Sequence, residues 1–237
     1  MIWRKKQVLD FLTESVYFGV FISLFFYEVG LWCKKKWKYA FLNPLLIAII
    51  LTIACICVLH MDYDTYYAGA KYISYLLTPS TICLAIPLYA QFELLKKNYL
   101  AVLGGIFSGV ITSVVMVLAF SFAFHFSHEE YITFLPKSVT TAIGMGISEQ
   151  LGGYVSITVA VIIITGVLGN ILAEPVCKLF KITDPIAKGV GIGSASHAIG
   201  TARAMEMGEI EGAMSGLSIA VAGIMTVFAA IIFSGLY

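Results

Sequence analysis

The chain has 237 residues, of which 59% are hydrophobic and only 12% charged, with a mean hydropathy of +0.91 and a formal net charge of +1. Soluble domains carry about 25% charged residues, so in water this composition would expose large apolar patches and aggregate. Soluble enzymes, disordered chains and nucleic-acid binders are excluded, leaving an integral membrane protein with room for roughly six to eight segments of about 20 residues.

In chain order, a basic start containing Arg4, Lys5 and Lys6 precedes an apolar run over 16–32. No small-residue cleavage site follows, and Lys34, Lys35, Lys36 and Lys38 close the run, so it reads as a retained first span. Further segments fall at 43–60, 72–91, 99–124, 132–153, 154–173, 187–207 and 213–237. Three of them are weak. The segment at 72–91 is interrupted by Pro79 and Pro87, that at 132–153 opens with Pro136-Lys137-Ser138, and that at 187–207 is rich in Gly, Ser and Thr.

Shifting the first four segments by about 118 residues lays them on the second four, a spacing typical of secondary transporters built from internal repeats. The expected fold is a single all-α membrane domain over 1–237. It holds two repeats (about 15–124 and about 132–237), with interrupted or re-entrant segments near the midplane.

Positive-inside counting puts Lys34, Lys35, Lys36, Lys38, Lys96 and Lys97 in the cytoplasm, against the preference of Arg4, Lys5 and Lys6. Lys178, Lys181 and Lys188 reach the same side if 136–153 dips in and returns without crossing.

The weak segments carry the polar groups, which are costly at membrane depth and usually face a protein-lined cavity. In the first, two prolines free backbone groups that suit a ligand, with Pro87 and Tyr89 as candidates. The alternative is a kink repaired by the Ser80 and Thr81 hydroxyls. In the second, Pro136 in the first turn of a helix would gather free N–H groups, Lys137 and the hydroxyls of Ser138, Thr140 and Thr141 around a carboxylate. The alternative is that Lys137 snorkels to the headgroups.

In the third, Ser196, His197 and Thr201 supply donors and Arg203 can bind a carboxylate bidentately. His197, Glu206 and Glu149 are candidates for coupling a proton. The competing reading pairs Arg203 with Glu206 as a structural ion pair.

Other motifs carry less. Gly189, Gly191 and Gly193 lack the dinucleotide spacing, and Ser196-His197 has no orienting Asp, so no enzyme is indicated. His125, His128, Glu129 and Glu130 read as a solvated loop, and the five cysteines as small apolar residues, so neither a metal nor another cofactor is expected. Gly105-x-x-x-Gly109 and Gly212-x-x-x-Gly216 are packing faces.

Several of these stretches resemble the LrgB family: Asn43-Pro44-Leu45-Leu46-Ile47, Pro87-Leu88-Tyr89, Pro136-Lys137-Ser138 with Thr140-Thr141, and above all Ser196-His197-Ala198-Ile199-Gly200-Thr201-Ala202-Arg203-Ala204-Met205-Glu206. The likeness runs from about Ser15 to the C-terminus. One departure is Ala142-Ile143, where the family often has proline after the paired threonines.

The resemblance implies a multi-pass protein of the bacterial cytoplasmic membrane. It is expected to act in a homo- or hetero-oligomer with a small LrgA-like membrane partner. Two functions are implied: carriage of a small monocarboxylate such as pyruvate or glycolate, as in the related part of the plastid glycolate/glycerate transporter, or antiholin/holin-type modulation of murein hydrolase activity and lysis. The residues favour the first, because a lysis modulator has little use for an anion-ready helix start and a buried arginine at comparable depth.

Overall fold

The computed structural model describes residues 15–37, 42–83 and 85–237; Arg4, Lys5, Lys6 and Lys38 lie outside them. All regular structure among the described residues is α-helical. The chain divides into two units, Met1–Cys83 and Leu84–Tyr237.

The first unit holds α1 (Val16–Trp37), α2 (Pro44–Val58), α3 (Tyr63–Ser74) and α4 (Leu77–Cys83). By length and composition α1 can cross a membrane, whereas α2, with 15 residues, is too short to span about 30 Å of hydrocarbon at 1.5 Å per residue. Pro44 and the Asn43 carboxamide, which accepts from the Leu45 and Leu46 N–H groups, fix the start of α2. Glycines let these helices pack closely: a Cβ on Gly30 would lie 2.8 Å from the Pro44 Cα, and one on Gly19 would lie 2.6 Å from the Ala70 nitrogen. The expected segment at 72–91 is divided among the end of α3, α4 and a further short helix, with Leu84 outside the described residues.

The second unit holds α5 (Ala85–Ala90), α6 (Phe92–Phe124), α7 (His128–Phe134), α8 (Thr141–Leu151), α9 (Val155–Leu179), α10 (Pro185–Met207) and α11 (Glu209–Ser234). Of these, α6, α9 and α11 are long and apolar enough to cross a bilayer. Val102, Ile106, Val110, Val114 and Val117 form one buried face of α6, packed in a core with Met214, Ala222 and Ala230 of α11. Outward faces carry Phe107, Phe120, Ile164, Phe228 and Ile232, the apolar exposure a lipid-embedded bundle needs.

With the Phe92 end of α6 as the base, α6 and α11 rise together. At the top the Tyr131 hydroxyl donates to the Phe233 carbonyl at 2.8 Å, and the Tyr237 hydroxyl to those of Ser121 at 3.0 Å and Phe126 at 2.7 Å. The ladder of α9 contacts described below runs the opposite way, from top to base.

Two segments expected as weak spans turn back on themselves. The first is α7–turn–α8, opened by a capping box between Ser127 and Glu130. Its two ends meet: the Tyr154 N–H donates to Thr133 Oγ1 at 2.8 Å, and the Thr158 hydroxyl to the Thr133 carbonyl at 3.0 Å and Ser148 Oγ at 2.8 Å. One expectation is corrected here. Pro136 does not begin a helix; it lies in the turn after α7, and α8 starts five residues later at Thr141 with Thr140 as its N-cap. Proline has no N–H to extend the hydrogen-bond ladder of α7, so the helix stops before it even though Leu135 keeps helical backbone at φ −54° and ψ −45°.

The second hairpin is inside α10. His197 has φ 44° and ψ −141°, a left-handed conformation that breaks the helix. Below the break, a Cβ on Gly189 would lie 2.8 Å from Met214 Cβ and one on Gly193 2.8 Å from the Ser215 Cα, so 185–196 rises alongside α11. Beyond it, Thr201 and Ser215 share a hydrogen bond at 2.7 Å, and a Cβ on Gly212 would lie 3.1 Å from the Met205 Cα, so 198–207 descends. Positions 193 and 201 therefore share one level of α11, and 189 and 205 a lower one. His197 is the tip.

Candidate functional site

The two hairpins approach from opposite ends and are stacked along α9. Thr158 holds the base of the first hairpin. Ile162, fully buried, sits against Gly144 of α8, and its carbonyl accepts from His197 Nε2 at 3.0 Å. Lower down, Gly166 faces the His197 ring, Gly169 faces Ser196, and the Asn170 side-chain amide donates to the Ile199 carbonyl at 2.8 Å. Gly166, Gly169 and Asn170 occupy one face of α9, and a Cβ on Gly169 would overlap the Ser196 side chain. The absence of a side chain there is what seats the hairpin tip.

Beside the tips lies a cavity of about 540 Å³. From α6 it is lined by Gly105, Ser108, Gly109, Thr112, Ser113 and Met116, from the first hairpin by Lys137 and Ser138, from α9 by Thr165 and Gly169, and from α10 by Gly191, Ser194, Ala195 and Ser196. It thus presents one ammonium and seven hydroxyls, with no carboxylate among its lining residues. Lys137 Nζ donates to Ser138 Oγ at 2.9 Å, and Ser113 Oγ to Ser138 Oγ at 3.1 Å. Ser194 spends its proton on the Val190 carbonyl at 2.7 Å, while the Thr112, Thr165 and Ser196 hydroxyls have no hydrogen-bond partner among the described residues. Lys137 also borders an apolar pocket of about 430 Å³ lined by Val117, Phe120, Phe124, Phe126 and Phe134, toward the top of the bundle.

Of the residues singled out in the sequence, Lys137, Ser138 and Ser196 come together at this cavity. His197 and Thr201 are buried behind it and hold the break: the Thr201 hydroxyl donates to the His197 carbonyl at 2.9 Å. Thr140 and Thr141 begin α8 and do not line the cavity, and Glu149 is exposed on α8. Tyr89 is exposed on α5, the helix that also contains Pro87.

Arg203 and Glu206 line a different pocket, of about 770 Å³, at the base of the bundle. There Arg203 is paired with both Glu206 and Glu174, Lys178 with Glu174 at 2.7 Å, and Lys188 with Glu211 at 3.8 Å. The Arg203–Glu206 pair read from the sequence as a competing possibility is present, and Glu174 of α9 extends it into a link between two helices. Sequence reasoning missed Ser108, Thr112 and Ser113, although they form a polar stripe with Gly105 and Gly109 on an otherwise apolar helix. Gly105 and Gly109 pack as expected, against Val190 and Ser194. No group of three or more His, Cys, Asp or Glu placed to hold a metal occurs among the described residues.

These features define an all-α membrane protein with a polar cavity at the tips of two opposed helix hairpins. Residues 23–236 match the model of the LrgB-like family, and the chain belongs to that family. It is 39% identical over 216 residues to proteins of Bacillus mycoides and Bacillus cereus that each bear the name antiholin-like protein LrgB, covering 91% of this chain and 94% of each relative. A Bacillus anthracis protein of the same name matches to the same extent. No solved structure matches the chain.

Proposed function

We propose that this chain is a subunit of a membrane transporter for a small monocarboxylate of the pyruvate or glycolate type, acting with a small LrgA-like partner in the bacterial cytoplasmic membrane. The observation that carries this reading is the Lys137 cavity. Among the described residues, one ammonium, three hydroxyls without hydrogen-bond partners and no carboxylate line it, an electrostatic trap for a single negative charge and its adjacent oxygens. At about 540 Å³ the cavity falls within the usual range of roughly 300–1,000 Å³ for small-molecule sites. Hairpins whose tips meet at a central site also suit alternating access, because one tip can move against the other.

Arg203 has a different role in this reading. It is committed to two glutamates at the base, away from Lys137, so it holds α9 to the descending arm of α10 rather than binding substrate.

The names of the Bacillus relatives favour a second reading, modulation of murein hydrolases and lysis. The two are separated by uptake of labelled pyruvate and glycolate in cells lacking their own carriers. The cells express the chain alone, the chain with the small partner, or Lys137→Ala. Saturable uptake lost in Lys137→Ala supports transport. No uptake in any combination, with the protein present in the membrane, favours the lysis reading.

A further inference from the structure

The three concavities flanking the hairpin at His197 share wall residues. An apolar groove of about 220 Å³ between α9 and the rising arm of α10 shares Gly169, Gly191, Ala195 and Ser196 with the cavity, and Cys177, Ile182 and Lys188 with the basal pocket. Apart from the Cys177 thiol, two polar side chains line it among the described residues: the Ser196 hydroxyl at its upper end and the Lys188 ammonium at its lower end. Eight helical residues, about 12 Å, separate them.

We propose that this groove is the inner limb of the carboxylate's path and that Lys188 is a second, transient carboxylate-binding station between the basal mouth and the Lys137 cavity; this rests on the transport reading above. Three observations support it. An anion entering an apolar groove loses its hydration, and a cation at the threshold offsets that cost. Lys188 is held loosely, 3.8 Å from Glu211, its one ion-pair partner among the described residues, so it can exchange that carboxylate for another. The basal pocket is also basic, with Lys178, Lys181, Lys188 and Arg203 against Glu174, Glu206 and Glu211, which attracts anions and matches a cytoplasmic face.

The test uses the purified chain, with its partner if uptake requires one. Equilibrium binding of labelled pyruvate is measured in detergent and initial uptake in proteoliposomes. Lys188→Gln is expected to bind within twofold of the unchanged chain yet take up pyruvate at least tenfold more slowly, and Lys188→Arg to keep at least half the rate. Normal uptake by Lys188→Gln overturns the station and leaves the transport reading standing. Full recovery in Lys188→Gln/Glu211→Gln also overturns it, because the defect would then come from an unpaired glutamate. Failure of the unchanged chain both to bind and to transport overturns the transport reading instead.

A second readout needs no transport. With Cys33, Cys55, Cys57 and Cys83 replaced by Ser, an anionic thiosulfonate is expected to modify Cys177 several-fold faster than a cationic one, and Lys188→Gln to abolish the difference. A ratio unaffected by Lys188→Gln overturns the proposal.

Discussion

His197 Nε2 donates to the main-chain carbonyl of Ile162 at 3.0 Å, joining the tip of the hairpin in α10 to the middle of α9. A carbonyl only accepts, so the proton is on Nε2. The bond also holds a non-glycine residue at φ 44°, a conformation costing on the order of 1–3 kcal/mol. The buried imidazole is therefore first a structural clasp. His197→Ala is expected to lose the clasp, keep the backbone strain and lower the thermal midpoint by several degrees in detergent. His197→Gln, which can still donate, should recover part of that loss. If His197 serves only to couple protons, both variants will melt like the unchanged chain and both will lose the same pH dependence of uptake.

Gly169 gives a sharper test of the tip's position. Any Cβ there overlaps Ser196, whereas a Cβ on Gly104 of α6 meets nothing within 4 Å. Gly169→Ala should push the hairpin out of register at a cost of about 1–3 kcal/mol, with uptake reduced tenfold or more. Gly104→Ala should be neutral or slightly stabilising, by about 0.5–1 kcal/mol, because alanine replaces an exposed helical glycine. Equal effects of the two substitutions on melting and uptake would rule out the seating of Ser196 on Gly169.

How much of this was legible in the sequence depends on the range of the interaction. The long apolar helices followed from hydropathy, and Lys137, Ser138 and Ser196 stood out because polar groups inside apolar runs demand an explanation. The reversal at His197 was hidden, because a helix–break–helix hairpin and one weak helix have the same composition; only the pairing of 193 with 201 reveals the turn. The Arg203–Glu206 pair was visible at a spacing of three, but Glu174 lies 29 residues away and is brought in by packing alone. Pro136 misled for a local reason: proline in a first helical turn and proline ending a helix have the same short motif.

Thr133 bonds three partners at the base of the first hairpin: its carbonyl and hydroxyl take the Thr158 hydroxyl and the Tyr154 N–H, while its own hydroxyl donates to the Glu129 carbonyl at 2.6 Å. Thr133→Val removes the side-chain acceptor of the Tyr154 N–H from a partly buried hydrogen bond, at a cost of about 0.5–1.5 kcal/mol. The expected result is a lower thermal midpoint with little change in pyruvate affinity, because Thr133 does not line the cavity. A variant that melts normally but binds poorly would show that the hairpin base is not what Thr133 supports.

The last prediction concerns sidedness. Because the ends of the first hairpin meet at Thr133 and Tyr154, residues 134–153 leave and return on one side, and α6 and α9 then run in opposite directions. Positive-inside bias places the base, with Lys96, Lys97, Lys178, Lys181 and Lys188, in the cytoplasm, and the top, with Ser127, outside. In a cysteine-free background, Ser127→Cys should react with an impermeant maleimide in intact cells, and Thr183→Cys only after the membrane is opened. Gly153→Cys is avoided as a probe because a Cβ there would lie 2.7 Å from Ser148 Oγ; exposed Tyr154→Cys takes its place and should label with Ser127→Cys. Labelling of Tyr154→Cys with Thr183→Cys instead would mean that 134–153 crosses the membrane, and would remove the opposed-hairpin geometry on which the Lys137 cavity depends.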